Sequence, residues 1–178
     1  MSNINNAPRT LVTFDESLKG RHSTYIDLPG DPFAKQRPRA ARKGRFITIY
    51  TPRETKNYES RVERAYRSVY GDTKLAGDLT VDIEGIFSIP KSVSKEKAKA
   101  MANGTYPHTK KPDCDNMAKI CLDALNGVAY HDDAQITKLN VSKHYGNNAK
   151  IKITIKENSK STDLRGDIEY GDEEILWA

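Results

Sequence analysis

Long apolar runs and sulfur are both scarce in this 178-residue chain. No stretch approaches the roughly 18 consecutive apolar residues that a membrane-spanning helix needs, and the opening MSNINNAPRT lacks the apolar centre of a secretory signal. A soluble, cytoplasmic protein with no membrane partner is expected. The only cysteines, Cys114 and Cys121, lie seven positions apart on a predicted helix, a rise of roughly 10 Å that no disulfide spans. Without a second cysteine pair or a spaced histidine pair, they also argue against zinc. Nothing repeats at a period of roughly 20 to 50 residues, which argues against a solenoid or propeller. No glycine-centred loop with alternating oxygen ligands ends in a glutamate, which argues against a calcium module.

What is present suffices for one core: 37% of the residues are hydrophobic, in a chain of single-domain length. The organisation reads as a flexible segment at 1–22, a folded body at 23–157 and an acidic tail at 158–178. The formal net charge of +5 is unevenly spread. Residues 34–67 hold eleven bases against three acids, a net of +8, which suits a polyanion. The last 22 residues hold seven acids against two bases. With Ile175, Leu176 and Trp177, that tail reads as a docking segment for a partner protein, as a mask over the basic face, or as plain disorder.

Periodicity supplies the elements. STYIDLPG and RFITIY read as strands, with DPFAKQRPRAARKG between them as a loop. Thr51, Pro52 and Glu54 spell an N-cap, a first-turn proline and a capping-box glutamate. Tyr58, Val62, Ala65, Tyr66 and Val69 then recur at helical spacing up to Gly71. LTVDIEGIFSI alternates as a half-buried strand, and a short helix follows from about Ser94 to Ala102. A further helix runs from about Asp115 to Leu125, with Met117, Ile120, Cys121, Ala124 and Leu125 in one stripe. After it, VAY reads as a short strand. LNVSKHY and AKIKITIKE flank GNN as a hairpin with Ile151, Ile153 and Ile155 inward. The expected class is α/β in the broad sense, more narrowly α+β: one domain with a mixed β-sheet flanked by helices.

Aspartates crowd around the helix at 115–125. Asp113 and Asp115 sit two apart where a loop becomes helix, so both carboxylates can face one spot, and hard oxygen ligands suit Mg²⁺ or Mn²⁺. Either one alone reads equally as an N-cap. Lys119 lies one turn after Asp115, and Asp132 with Asp133 returns at the next turn. His108 and His131 flank the cluster as proton shuttles or as plain polar loop residues.

The string KPDCDNMAKICLDALNGVAYHDDAQI, residues 111–136, resembles the signature of the RusA-type Holliday junction resolvases: Pro-Asp-x-Asp-Asn, a lysine one turn on, Asp-Ala-Leu, and Asp-Asp-x-Gln. GDPFAKQRPRAARKGRFITIYTPRETKNYE, residues 30–59, resembles the basic strand-loop-helix entrance of that family. The resemblance implies a RusA-like fold. It implies a homodimeric, Mg²⁺-dependent endodeoxyribonuclease that resolves four-way DNA junctions by paired symmetrical nicks in recombination and repair, in a bacterial or phage-infected cell. Asp113, Asp115 and Asp133 fall on the family's essential acidic positions and Lys119 on its catalytic lysine. Asp132 is a further candidate ligand, and Asn116, Asp123 and Gln135 also match.

The chemistry suits these residue types without the family. Cleaving a phosphodiester needs an activated water and relief of developing charge, both of which carboxylate-held metal ions supply. Lys119 would orient the water, act on its proton or neutralise the phosphate, or else form a plain salt link to Asp115 or Asp123. Lys35, Arg37, Arg39, Arg42, Lys43, Arg45 and Arg53 are the candidate phosphate contacts for branched DNA. Phe33 and Phe46 are candidates to wedge into an open junction, or to pack in the core. Two rival readings remain: a metal-dependent nuclease acting on forks or flaps, and a non-catalytic nucleic-acid-binding protein whose aspartates are caps.

Overall fold

A computed structural model of the chain describes residues 23–158. The expectations for 1–22 and for the tail beyond 158 lie outside the described residues. Within them run β1 (Ser23–Pro29), β2 (Arg39–Lys43), β3 (Phe46–Tyr50), α1 (Arg53–Tyr70), β4 (Leu79–Ser88), α2 (Lys95–Ala102), α3 (Cys114–Leu125), β5 (Ile136–Gly146) and β6 (Lys150–Glu157). A single 3₁₀ turn, Asp133–Gln135, precedes β5. None of the described helices is long and apolar enough to cross a membrane.

Strands β1, β6, β4 and β5 form a mixed sheet in that order, antiparallel except for the parallel β4–β5 pair, while β2 and β3 form a separate ribbon. Period-two alternation gives the sheet two unlike faces. On one face Ile26, Leu28, Val81, Ile83, Ile151, Ile153 and Ile155 are buried in a single core with Tyr58, Val62 and Tyr66 of α1 and with the whole α3 stripe. On the other face, β6 lysines reach carboxylates of the neighbouring strands: Lys150 to Asp27 at 2.6 Å, Lys152 to Glu84 at 2.6 Å and Lys156 to Asp82 at 3.2 Å. That face carries ion pairs in place of an apolar layer, and the helices α1 and α3 share the other side. The domain is α+β with a mixed sheet, as the alternation and helical stripes predict.

Five local expectations are corrected. β5 and β6 are not hairpin partners, because β4 lies between them; the turn at 147–149 steps over the end of β4. Alternation says which face a residue takes, not which strand lies beside it. The turn is possible because Gly146 has no Cβ, which would stand 2.6 Å from Ile86 Cγ2. The basic loop is half strand, since Arg39–Lys43 pairs with Phe46–Tyr50. VAY is a turn in which only Tyr130 bridges, to Leu75 and Asn126. Finally, α1 begins after Pro52 with no side-chain cap, and Glu54 instead accepts from Gln36 Nε2 at 2.8 Å. Val69, placed on the apolar stripe of α1, is exposed.

The contact that seats α3 on the sheet is at Gly85 of β4. A Cβ there would stand 2.5 Å from Met117 Sδ, so the end of the fully buried Met117 side chain would have to shift within the core. Gly85→Ala is therefore expected to destabilise the domain by about 1–3 kcal/mol, the usual cost of overpacking a core, measurable as a lowered urea midpoint. Gly127→Ala, at a turn where nothing lies near the added Cβ, tests only φ strain and gives the comparison.

Candidate active site

The site is built on the N-terminal end of α3 and on the turn before it. Lys143 of β5 donates from Nζ to the main-chain oxygens of Lys110 and Pro112, both at 2.8 Å, which clamps that turn to the sheet. Asp113 then takes the N-cap position in extended backbone, and its main-chain oxygen accepts from Met117 N at 3.0 Å. Its carboxylate makes no cap bond, so the cap reading of Asp113 is not realised in its side chain. Asp115 and Lys119 follow on the exposed face of α3. Neither side chain has a hydrogen bond or ion pair with another described residue, and the alternative salt link from Lys119 to Asp115 or Asp123 is absent.

Asp123 is taken by another cation. Its carboxylate bonds Lys35 Nζ, which also lies 3.3 Å from Glu59 of α1. Partial burial lowers the Lys35 pKa, but the Asp123 and Glu59 carboxylates outweigh it and the net shift is upward. Lys35 N also donates to Asn116 O at 3.1 Å. Lys35 is thus the exception among the candidate phosphate contacts: its charge is spent inside the protein. By contrast Arg37, Arg39, Arg42, Arg45 and Arg53 are exposed, with no ion pair to a described carboxylate. Lys43 stands in the same ribbon, in β2.

The expected return of Asp132 and Asp133 to the Asp113–Asp115 spot does not occur within one chain. Tyr130 OH donates to Leu122 O at 2.8 Å, which holds the turn at the far, C-terminal end of α3. Asp133 opens the 3₁₀ turn that leads into β5 at Ile136, whereas Lys143, which reaches the turn before Asp113, stands seven residues further along β5; at ~3.3 Å per strand residue those two strand positions are roughly 20 Å apart. Among the described residues no group of three or more His, Cys, Asp or Glu gathers at one point. Asp133 lies near enough to Tyr130 to raise its phenol further above the ordinary range, a shift driven chiefly by burial. Asp132 is a cap: its Oδ1 accepts from Ala134 N at 2.8 Å, and Gln135 Oε1 accepts from Asp132 N at 3.1 Å. Gln135 Nε2 in turn donates to Gly77 O at 2.9 Å, stapling the turn to the start of β4.

The donor chemistry fits an oxygen-preferring divalent ion at the Asp113–Asp115 end, where two hard carboxylates are exposed and uncommitted. His108 lies in the loop between α2 and α3, but not as a solvated polar residue. It is buried, stacked on Phe87 with centroids 4.0 Å apart and packed against Tyr145. Burial and Lys143 push its pKa down. His131 is exposed. The Cys121 thiol is buried and pushed up by that burial, so it is inert packing.

A family model for endodeoxyribonuclease RusA matches residues 29–156, which spans the ribbon, α1, the clamped turn, α3 and the central sheet. The chain belongs to the RusA endodeoxyribonuclease family. It is therefore a hydrolase of the endodeoxyribonuclease type, in a family that acts on branched DNA junctions and whose resolvase nucleases are generally divalent-metal dependent. It is also similar to the uncharacterized protein YqaN of Bacillus subtilis (strain 168), with 33% identity over 130 residues, 72% of this chain and 92% of that one. The RusA match holds both uncommitted aspartates and Lys119, and it holds Lys143, which sequence reasoning missed. A lysine in an alternating strand gives no sign that it reaches two carbonyls of a turn some thirty residues earlier in the chain.

Two outcomes follow. Lys143→Met keeps the strand but removes both bonds to the turn, so cleavage is expected to fall on the order of 10–100-fold through misplacement of Asp113, with hydrogen exchange accelerated at residues 110–116. For His108, a depressed folded pKa means that the unfolded chain takes up the proton first. Stability is full above pH ~6.5 and declines as pH falls below it. His108→Phe should flatten that slope, as urea unfolding at several pH values between ~5 and ~7.5 would reveal.

Proposed function

We propose that this protein is a Mg²⁺-dependent, homodimeric Holliday junction resolvase that introduces paired symmetrical nicks during recombination and repair, working where the DNA is, in the cytoplasm. The observation that carries the reading is the exposed row of Asp113, Asp115 and Lys119 with no side-chain partner among the described residues, on the helix to which the base of the ribbon is bonded, the ribbon's arginines having no ion pair among the described residues. Charges left uncommitted at the end of a rigid helix are suited to a charged substrate and its cation.

In this reading Asp113 and Asp115 hold the divalent ion, with Mn²⁺ as a workable substitute. A divalent ion held there would supply activation of the attacking water and relief of charge on the phosphate. Lys119, one turn along the same face, donates to the phosphate oxygens as negative charge develops on them. Arg37, Arg39, Arg42, Arg45 and Arg53 hold the flanking backbone through phosphate contacts that carry no base identity, so affinity should fall steeply with salt.

The distance of Asp133 from this pair supports the homodimer. A two-fold pair of chains can set the Asp133 end of one copy against the Asp113 end of the other, twice, giving two composite sites for the two nicks. A four-way junction has the matching approximate two-fold symmetry.

Cleavage of a labelled four-way junction, beside matched duplex, fork and single strand, tests the reading. Wild type with Mg²⁺ should give symmetrical nicks in the junction that EDTA removes, and Asp115→Asn should abolish them while keeping junction binding; unchanged cleavage by Asp115→Asn would sink the assignment. Mixing Asp115→Asn with Asp133→Asn should restore one nick per junction if the sites are shared between subunits, because each mixed dimer then has one intact set. Persistent inactivity of the mixture would place all three aspartates in one chain's site.

A further inference from the structure

The ribbon of β2 and β3 has a feature that phosphate binding does not explain. Every residue of β3 is exposed, including Phe46 at 79%, Ile47 at 72% and Ile49 at 73%. The register places Arg42 opposite Ile47, and Arg45 directly precedes Phe46, so the apolar tip stands among cations. From Arg39 to Tyr50 there are four bases and no acid. Phe33, by contrast, is stacked on Tyr58 with centroids 5.6 Å apart, so the two phenylalanines have separate roles.

The ribbon is also rooted at the site. Just before β2, Gln36 N donates to Thr55 Oγ1 at 3.4 Å and Gln36 Nε2 to Glu54, while Lys35 bonds Asp123 and Asn116 of α3. The base of the arm is thus strapped to α1 and to the helix that carries Asp115 and Lys119, and its tip projects free.

Charge decides which occupant fits the tip. A second copy of the same ribbon would bring four like charges against four with no acid between them, and repulsion opposes that pairing. A polyanion that also offers open apolar faces matches both properties, and DNA has such faces only where bases are unstacked. We propose that Phe46, with Ile47 beside it, stacks on unpaired bases at the branch point of the DNA, while the ribbon's arginines hold the adjoining phosphates. This rests on the resolvase reading and adds the means by which a junction is told from duplex.

The test uses the full chain without divalent metal. It compares a four-way junction carrying 2-aminopurine beside the branch with duplexes of the same arm sequences. Phe46→Ala should bind the junction roughly 10-fold more weakly, in line with the loss of one aromatic–base stack. It should leave duplex affinity unchanged and lose the 2-aminopurine fluorescence change. Phe46→Trp should retain all three properties, which separates stacking from loss of the fold. Equal weakening on junction and duplex, or an unchanged junction affinity, would overturn the proposal. So would a shift in sedimentation of Phe46→Ala without DNA, which would make the tip a protein interface. A wild type with no preference for junction over duplex would instead remove the resolvase reading itself, and is seen before any Phe46 variant is made.

Discussion

Water's exclusion from Met117, Ile120, Cys121, Ala124 and Leu125 presses α3 onto the sheet, and only one rotation of the helix covers all five. That rotation turns Asp115 and Lys119 to the outside and leaves Asp113 at the exposed N-terminus. Gly85 lets the helix approach closely enough for Met117 to be buried, and Lys143 fixes the turn that feeds it. The carboxylates therefore need no bonds of their own to be held in place. A residue positioned by its backbone can keep its functional atoms unspent, whereas one positioned by its side chain cannot.

Asp132 and Asp123 show the other choice. They belong to the same acidic stretch and read alike in the sequence, yet Asp132 caps the 3₁₀ turn and Asp123 bonds Lys35. Absence of a partner is not sufficient by itself to mark function, since exposed lysines such as Lys91, Lys95 and Lys99 also stand without ion pairs. What distinguishes Asp113, Asp115 and Lys119 is that they are uncommitted on an element whose every other feature is fixed. Loose charge on a rigid base is useful to a substrate; loose charge on a solvated helix such as α2 serves solubility.

Much of this was legible before any coordinates. The α3 stripe, the α1 stripe short of Val69, the inward isoleucines of β6 and the stop at Gly71 follow from period and capping, which are local properties. Neighbour relations were not legible. Alternation in LNVSKHY and AKIKITIKE is the same whether the strands pair with each other or both pair with β4, so the hairpin was a natural misreading. Basic residues and prolines hid the strand at Arg39–Lys43 because a ribbon standing in solvent has no apolar face to leave a pattern. The site was half legible: Asp113, Asp115 and Lys119 share one helix end, so their grouping is written in their spacing. Whether Asp133 joins them depends on where a turn leads, and the bond from Tyr130 to Leu122 that decides it has no signature in sequence.

The same bond gives the molecule a polarity that bears on how two nicks are coordinated. Each chain carries a pair of carboxylates at one end of α3 and a single one at the other, about a helix length apart. On the proposed composite-site reading, one chain alone has parts of a site and not a whole. If the parts are completed only across a two-fold axis, then neither site exists until both do, and the assembly that gives one phosphate a complete set of ligands gives the symmetry-related phosphate another. Lys35 ties the ribbon to the same helix through Asp123 and Asn116, so the arm proposed to meet DNA and the carboxylates proposed to act on it are joined by direct bonds. Recognition of a two-fold DNA branch and completion of two sites are then a single geometric requirement, which an isolated chain on a plain duplex does not meet.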